Sequence, residues 1–311
     1  MYYALSIATV AGINIICVSG LTLLTGFTGM FSMGHAGFMA IGGYSAAVLH
    51  MHLHVPFLLA VLLGGVIAAL SSLIVGVPTI KNRLTGDCFA IAMLGFGETV
   101  RLLSSNIYPV INGAMGLTGI PKKTTFTVVL VFVVVCLFLL RNYTKSQYGK
   151  NLVAVQQQEI AAEMMGIDTV KTKLWSLALS AFFTGVGGAL FGFYMTCLYP
   201  SNFTSTKSTD LTAAVVFGGT NSITGPVIAA ALLIIFPEVL RVFALWRLVI
   251  YGLMFVIIML FKPEGLLGYK EFSIRGIVGW FRKLPTRIKN RGKILDHAED
   301  IIGPSGGKKD G

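Results

Sequence analysis

The sequence predicts an all-α, polytopic membrane protein of about 8 membrane segments at ~20 residues a span, some of them broken or re-entrant. Three observations carry this. Only 12% of the residues are charged, against roughly 25% in a soluble domain, whose surface needs those groups. Hydrophobic residues make up 55% of the chain and mean hydropathy is +0.78. The net charge of +11 is not spread evenly. Basic residues gather after Phe261 and between Arg141 and Lys173, with nearly neutral apolar stretches between them. That is the positive-inside pattern of a membrane protein, and it argues against nucleic acid as a partner.

Each segment follows from its hydropathy. Spans are expected at 3–24, 56–79, 125–141, 174–198 and 245–261. Segments 27–49, 87–103 and 207–241 are weaker, because Gly, Pro and polar residues interrupt them. Broken backbone at membrane depth is tolerated only against protein or a water-filled cavity. Charge then sets topology. The loop 142–172, Lys81, Arg83 and the tail after 268 are expected in the cytoplasm. Segment 56–79 then runs inward, 87–103 returns, 125–141 comes back in, and 104–124 lies outside. Segment 174–198 goes out and 245–261 comes in. Parity therefore requires 207–241 to enter and leave on one side, as a hairpin turning near "GGTNSITGP", 218–226. Whether 27–49 crosses or dips is open, and with it the side of the N-terminus.

Two units result: a transmembrane domain over 1–268 and a basic tail over 269–311. Residues 272–284 mix Phe, Ile, Val, Trp and Leu with Arg and Lys, which suits an interfacial helix on anionic lipid. The Gly/Lys-rich end has too few apolar residues to fold. The N-terminus runs straight into a span without a basic region, so no cleavable signal is expected. Cys17, Cys88, Cys136 and Cys197 all lie in apolar stretches without metal-ligand spacing, and they read as packing residues.

The stretch "GFTGMFSMGHAGFMAIGGYSAAVLH", 26–50, puts glycines and a histidine into an apolar segment. Gly is a poor helix former, and an imidazole in hydrocarbon is costly. Gly34 and Gly37 permit close approach of a helix or ligand. His35, with Ser32 nearby, is either a pathway residue or a packing residue bonded to its neighbours. A faint internal echo pairs Phe27, Gly29, Ser32 and Gly34 with Phe217, Gly219, Ser222 and Gly225, one residue being inserted. Such echoes mark a two-repeat transporter or arise by chance.

Glu98 and Arg101 stand in the apolar "CFAIAMLGFGETVRLL". At i, i+3 they share a helix face, either as a structural pair or as lining of a solute route. Asp87 reads as an N-cap. "HMHLH", 50–54, suggests a metal site, but a solvated outer loop without a carboxylate is the better reading. In the loop, "NLVAVQQQEIAAEMMG" is free of helix breakers until Gly166. Leu152, Val155, Ile160 and Met164 are expected to form one apolar stripe, for a cytoplasmic partner, for the bilayer surface or for the protein's own bundle. No P-loop, HExxH or GxSxG motif occurs, so ATP binding and enzyme chemistry are not expected of this chain.

Together these stretches resemble the M-type membrane permease subunits of branched-chain amino acid ABC importers, from about residue 14 to 268. Gly29, Ser32, Gly34, His35 and Ala36 match the family's Gly-rich signature. Gly86, Asp87, Phe89, Leu94, Gly95, Phe96, Glu98 and Arg101 match a second segment, and "MGLTGIP" the loop after it. Gly149, Ala154, Glu159, Ala161, Ala162, Gly166 and Ile167 are similar to the coupling element that engages the ATPase. "GGTNSITGPVIAA" and "YGLMFVIIMLFKPEGLLG" match near the end. Departures are "QQQ" at 156–158, where a basic residue is usual, Asn221 in place of a Gly, Thr224 in place of an aromatic residue, and Cys88 in place of a Tyr.

The resemblance implies a transport subunit without catalytic residues, bound cofactor or metal, in a prokaryotic cytoplasmic membrane. Its partners would be a second permease, two cytoplasmic ATPases, an extracytoplasmic solute-binding protein and lipid. Ser32, Gly34, His35, Glu98, Arg101, Asn221, Ser222 and Gly225 are the pathway candidates. Glu159, Ala161, Ala162 and Gly166 are the coupling candidates. The expected cargo is a branched-chain amino acid, with urea or a short amide as the alternative. A stand-alone carrier or channel is the rival from another class.

Overall fold

The computed structural model describes residues 2–84, 86–220, 222–239 and 252. The expected span 245–261, the tail 269–311 and Asn221 lie outside them, Gly252 excepted. The described chain is helical, with α1 Tyr2–Leu21, α2 His35–His52, α3 Phe57–Lys81, α4 Asp87–Asn106 and α5 Tyr108–Ile111. Then come α6 Phe126–Lys145, α7 Gln147–Gln157, α8 Glu159–Met164, α9 Thr169–Met195, α10 Ser205–Gly218 and α11 Thr224–Val239. Two short strands, β1 Leu117–Thr118 and β2 Cys197–Leu198, pair antiparallel.

Among the described residues, five stretches are long and apolar enough to cross a membrane: Tyr3–Gly26, Phe57–Lys81, Asp87–Asn106, Phe126–Lys145 and Thr169–Met195. Expected breaks at 87–103 do not occur. Gly95 and Gly97 are absorbed into α4, and Gly97 instead lets α2 approach at Gly37. Asp87 is not the N-cap either. Gly86 takes that position at φ +59, and Asp87 sits in the first turn, where a carboxylate favours the positive end of the helix dipole.

The core is a trio of α2, α3 and α9. A methyl group added at Gly42 would strike the backbone of Gly185, and one at Gly188 the carbonyl of Met39. Gly64 faces the Gly42 carbonyl at 2.7 Å from its Cβ position. Small residues let helix backbones meet where lipid gives no hydrophobic drive. α1 runs antiparallel to α9: Gly187 faces Cys17, Gly20 faces Ser180, and Ser176 bonds to the Leu23 carbonyl and Thr28.

The bundle thus has two ends. At one, α7 and α8 cover the break after α1. At the other, β1 and β2 clip the 113–118 loop to the end of α9, and Tyr44 Oη donates to the Leu198 carbonyl at 3.2 Å. His50 Nδ1 there donates to the Val55 carbonyl at 2.6 Å. The stretch 27–49 joins the two ends. It is non-helical until Gly34, then helical to the clip end.

α1 ends in a π turn, Thr22–Gly26, closed by Phe27 N–H on the Thr22 carbonyl at 3.1 Å. α10 and α11 form the hairpin that parity required, with its turn between Gly218 and Thr224. The internal echo has a backbone counterpart. Gly29 (φ +75) and Gly219 (φ +104) both enter the left-handed region, which Gly adopts without steric cost. Ser32 and Ser222 each accept a backbone N–H, from Gly34 at 3.5 Å and Gly225 at 3.2 Å, just around the start of the next helix.

Candidate functional site

The two breaks abut. A Cβ at Gly26 would lie 2.5 Å from the Thr220 carbonyl oxygen, and one at Gly225 would strike the Gly218 carbonyl. Ser32, His35 and Ser222 are fully buried at 0% exposure. His35 hydrogen-bonds Ser32 Oγ through Nδ1 at 2.9 Å and Ser180 Oγ through Nε2 at 2.7 Å. Thr212 donates to the Ser32 carbonyl at 3.0 Å, and Ser208 Oγ accepts the Ala36 N–H at 2.8 Å. Gly34 is pressed on the Met93 carbonyl. These residues knit α2, α9, α10 and α4 together, and Ser222 and Gly225 do the same for the hairpin.

Glu98 and Arg101 stand apart from that knot. Arg101 Nε donates to Glu98 Oε2 at 2.7 Å, and each side chain is about one-third exposed. Glu98 Oε1 accepts the Ser205 N–H at 3.3 Å. One carboxylate oxygen therefore holds the arginine, and the other caps the start of α10, where free N–H groups attract negative charge.

α7 and α8 carry the residues expected to couple to an ATPase. Gln158, extended at φ −158 and ψ 106, separates them. The break splits the stripe expected across Leu152, Val155, Ile160 and Met164. Leu152 (0%) and Val155 (4%) turn into the bundle, whereas Ile160 (66%), Met164 (83%) and Met165 (83%) face out. Ala161 is exposed beside them and Ala162 is buried beneath. Glu159 Oε1 pairs with Lys173 Nζ at 2.6 Å. Glu163 bridges Arg83 at 3.2 Å and accepts the Thr169 hydroxyl at 2.9 Å. α8 is thereby pinned to α9 and to the α3–α4 connection.

Gly166 is exposed, and its geometry also gives it a structural part. It terminates α8 at φ +82, donating to the Glu163 carbonyl at 2.9 Å while Ile167 donates to the Ala162 carbonyl at 3.1 Å. This pair of bonds is a Schellman cap, which needs a left-handed residue at this place.

Loop and break are joined by Gln156, which the sequence reading noted only as a departure. Its Nε2 donates to the Gly26 carbonyl at 2.8 Å, and Gly29 leaves room for its Cγ. Its Oε1 is buried without a hydrogen-bond partner among the described residues. Beside it lies a cavity of about 220 Å³ lined by Thr28, Gly29, Gln156 to Glu159 and Lys173. Lys207 and Asp210 on α10 were also missed. The signal was present, since both are ionisable residues within the weakly apolar segment 207–241.

Broken helices knotted at buried polar residues, with an exposed apolar helix hung beneath them, define the membrane subunit of a solute permease. The chain belongs to the family described as branched-chain amino acid transport system / permease component, whose model matches residues 3–259. It is 31% identical over 298 residues to the high-affinity branched-chain amino acid transport system permease protein LivM of Salmonella typhimurium, covering 85% of this chain and 70% of that protein. The LivM of Escherichia coli is 31% identical over 295 residues, covering 84% and 69%. A probable branched-chain amino acid transport permease protein LivM of Methanocaldococcus jannaschii is 20% identical over 238 residues, covering 68% of each chain. Among solved structures, PsaBC from Streptococcus pneumoniae in complex with Fab aligns with a TM-score of 0.47 at 15% identity, over 82% of this chain and 90% of that one. That likeness is too loose to carry a fold assignment.

Proposed function

We propose that this chain is one permease half of an ABC importer that moves branched-chain amino acids inward across a prokaryotic cytoplasmic membrane. Separate ATPases drive it, an extracytoplasmic binding protein delivers the cargo, and a second permease completes the pathway. The 142–172 loop and the tail face the cytoplasm. The observation that carries this reading is the continuity from α8 to the helix breaks. α8 exposes Ile160, Met164 and Met165, and Gln156 on α7 holds the Gly26 carbonyl at the first break. An ATPase seated on α8 would move the break through this link.

The coupling candidates then divide by role. Ala161 offers surface and Ala162 anchors α8, while Glu159, through Lys173, and Gly166, through the cap, position it. Ser32, Gly34, His35, Ser222 and Gly225 shape the breaks, and Glu98 with Arg101 sets the start of α10. None of the five break residues faces open space in this conformation, so their part in transport is to permit motion of the breaks.

Uptake into proteoliposomes with and without the ATPases tests the reading. ATP-dependent uptake of leucine is expected, and uptake by this chain alone would make it a carrier or channel. Ala161→Glu is expected to abolish co-purification of the ATPases, and normal co-purification would remove α8 from docking.

A further inference from the structure

A small cavity of about 70 Å³ lies between α1, α10 and α11, away from the breaks. Its wall is aliphatic, with Val18, Leu211, Ala230 and Leu233 among the lining residues. Its rim is polar: Asn14, nine-tenths buried, with Lys207 and Asp210. At i, i+3 the ammonium and carboxylate lie on one face of α10. Among the described residues the ion pairs within 4 Å are Arg83–Glu163, Arg101–Glu98, Lys171–Asp168 and Lys173–Glu159, so Lys207 and Asp210 do not neutralise each other by contact. Asp210 is exposed, as are Thr206 and Thr209 on the same helix.

A carboxylate exposed in a membrane bundle does not face lipid; it faces a bundle interior, a partner or water. We infer that Lys207, Asp210 and Asn14 form a recognition site for a zwitterionic α-amino acid, with the aliphatic cavity receiving its side chain. This rests on the permease reading above and gives it a cargo site. The chemistry matches on each side. Lys207 takes the α-carboxylate, Asp210 takes the α-ammonium, and the Asn14 amide serves either. The volume suits a short aliphatic side chain, and exposed Asp210 beside half-buried Lys207 places the head group at its mouth. A few convergent polar groups on an apolar wall are the usual form of a small-molecule site. Urea, lacking both charges and a side chain, would use neither half.

The test uses the complete importer in proteoliposomes, with its binding protein and labelled leucine, valine and alanine. Asp210→Asn is expected to cut leucine uptake at least tenfold while all subunits still co-purify. Ala230→Leu, which fills the cavity, is expected to reduce leucine uptake several-fold more than alanine uptake. If Ala230→Leu fails to assemble, Asp210→Asn decides alone, because its side chain is exposed. Parental uptake and parental substrate order in Asp210→Asn would overturn the site while leaving the permease reading intact. Loss of the second permease from purified Asp210→Asn would assign this face to subunit contact and overturn the site. Failure of the unaltered importer to take up any amino acid would overturn the permease reading, and the site with it.

Discussion

Gly166 offers a way to separate shape from contact in the coupling region. An added Cβ would meet nothing within 4 Å among the described residues, so Gly166→Ala introduces no clash with them. Its cost is conformational, because the residue sits at φ +82. An L-residue held left-handed costs roughly 1–2 kcal/mol, and Asn is among the few that go there readily. One to two kcal/mol is a factor of about 5–30 in a population. Gly166→Ala should therefore weaken ATPase binding about 5–30-fold by fraying the end of α8, whereas Gly166→Asn should stay within a few-fold of the parent. Gly166→Trp carries the same backbone cost and adds bulk on an exposed surface. Titrating the purified ATPase against the permease assembly in detergent reads all three. If only the cap matters, Trp matches Ala; if the ATPase packs here, Trp is weaker still. Parental affinity in all three variants would refute the reasoning, since neither the cap nor the surface of α8 would then bear on docking.

Gln156→Met removes both the bond to the Gly26 carbonyl and the unpartnered buried oxygen, opposing effects of about 1 kcal/mol each. Thermal unfolding should barely move while ATP-driven uptake falls; uptake at the parental rate would take Gln156 out of the coupling route. Gly188→Ala, whose methyl strikes the Met39 carbonyl, should destabilise by about 1–3 kcal/mol as overpacking does. Gly95→Ala, with open space around it, should be neutral or stabilising by up to about 1 kcal/mol, and equal unfolding temperatures for the two would contradict the backbone contact. The Lys171 N–H, and then the Lys171 side chain, hold the Asp168 carboxyl below its ordinary value of 3.8. That cap on α9 is therefore in full effect above pH 4 and is lost as pH falls through the depressed value. Asp168→Ala should abolish this acid limb in proteolysis of the loop, and an unchanged limb would assign it elsewhere.

Much of the architecture was legible because membrane burial writes itself into hydropathy and charge. A hairpin in 207–241 was expected from parity, and among the described residues α10 and α11 pack as two helices on either side of Gly218–Thr224. Local patterns failed where one residue redirected the chain. Gln158 interrupts a stretch without helix breakers, so the expected apolar stripe became two faces. Gly86, not Asp87, holds the cap position, because a left-handed entry to α4 favours glycine. Long-range partners were not legible at all. Nothing in "SMGHAG" announces Ser180, which turns His35 into a buried crosslink. Asp210 does not stand out in a segment that Gly, Pro and other polar residues already interrupt.

The glycine crossings of α2, α3 and α9 have a mechanical consequence. Gly42 and Gly188 meet backbone, not side chains. Side chains yield by changing rotamer, but a carbonyl wedged against a Cα has nowhere to go. The three helices therefore cannot creep past one another by small degrees, and they travel as a single keel. Were an ATPase to drive this bundle, the keel would turn as one body, and the change of shape would fall on the parts hung around it.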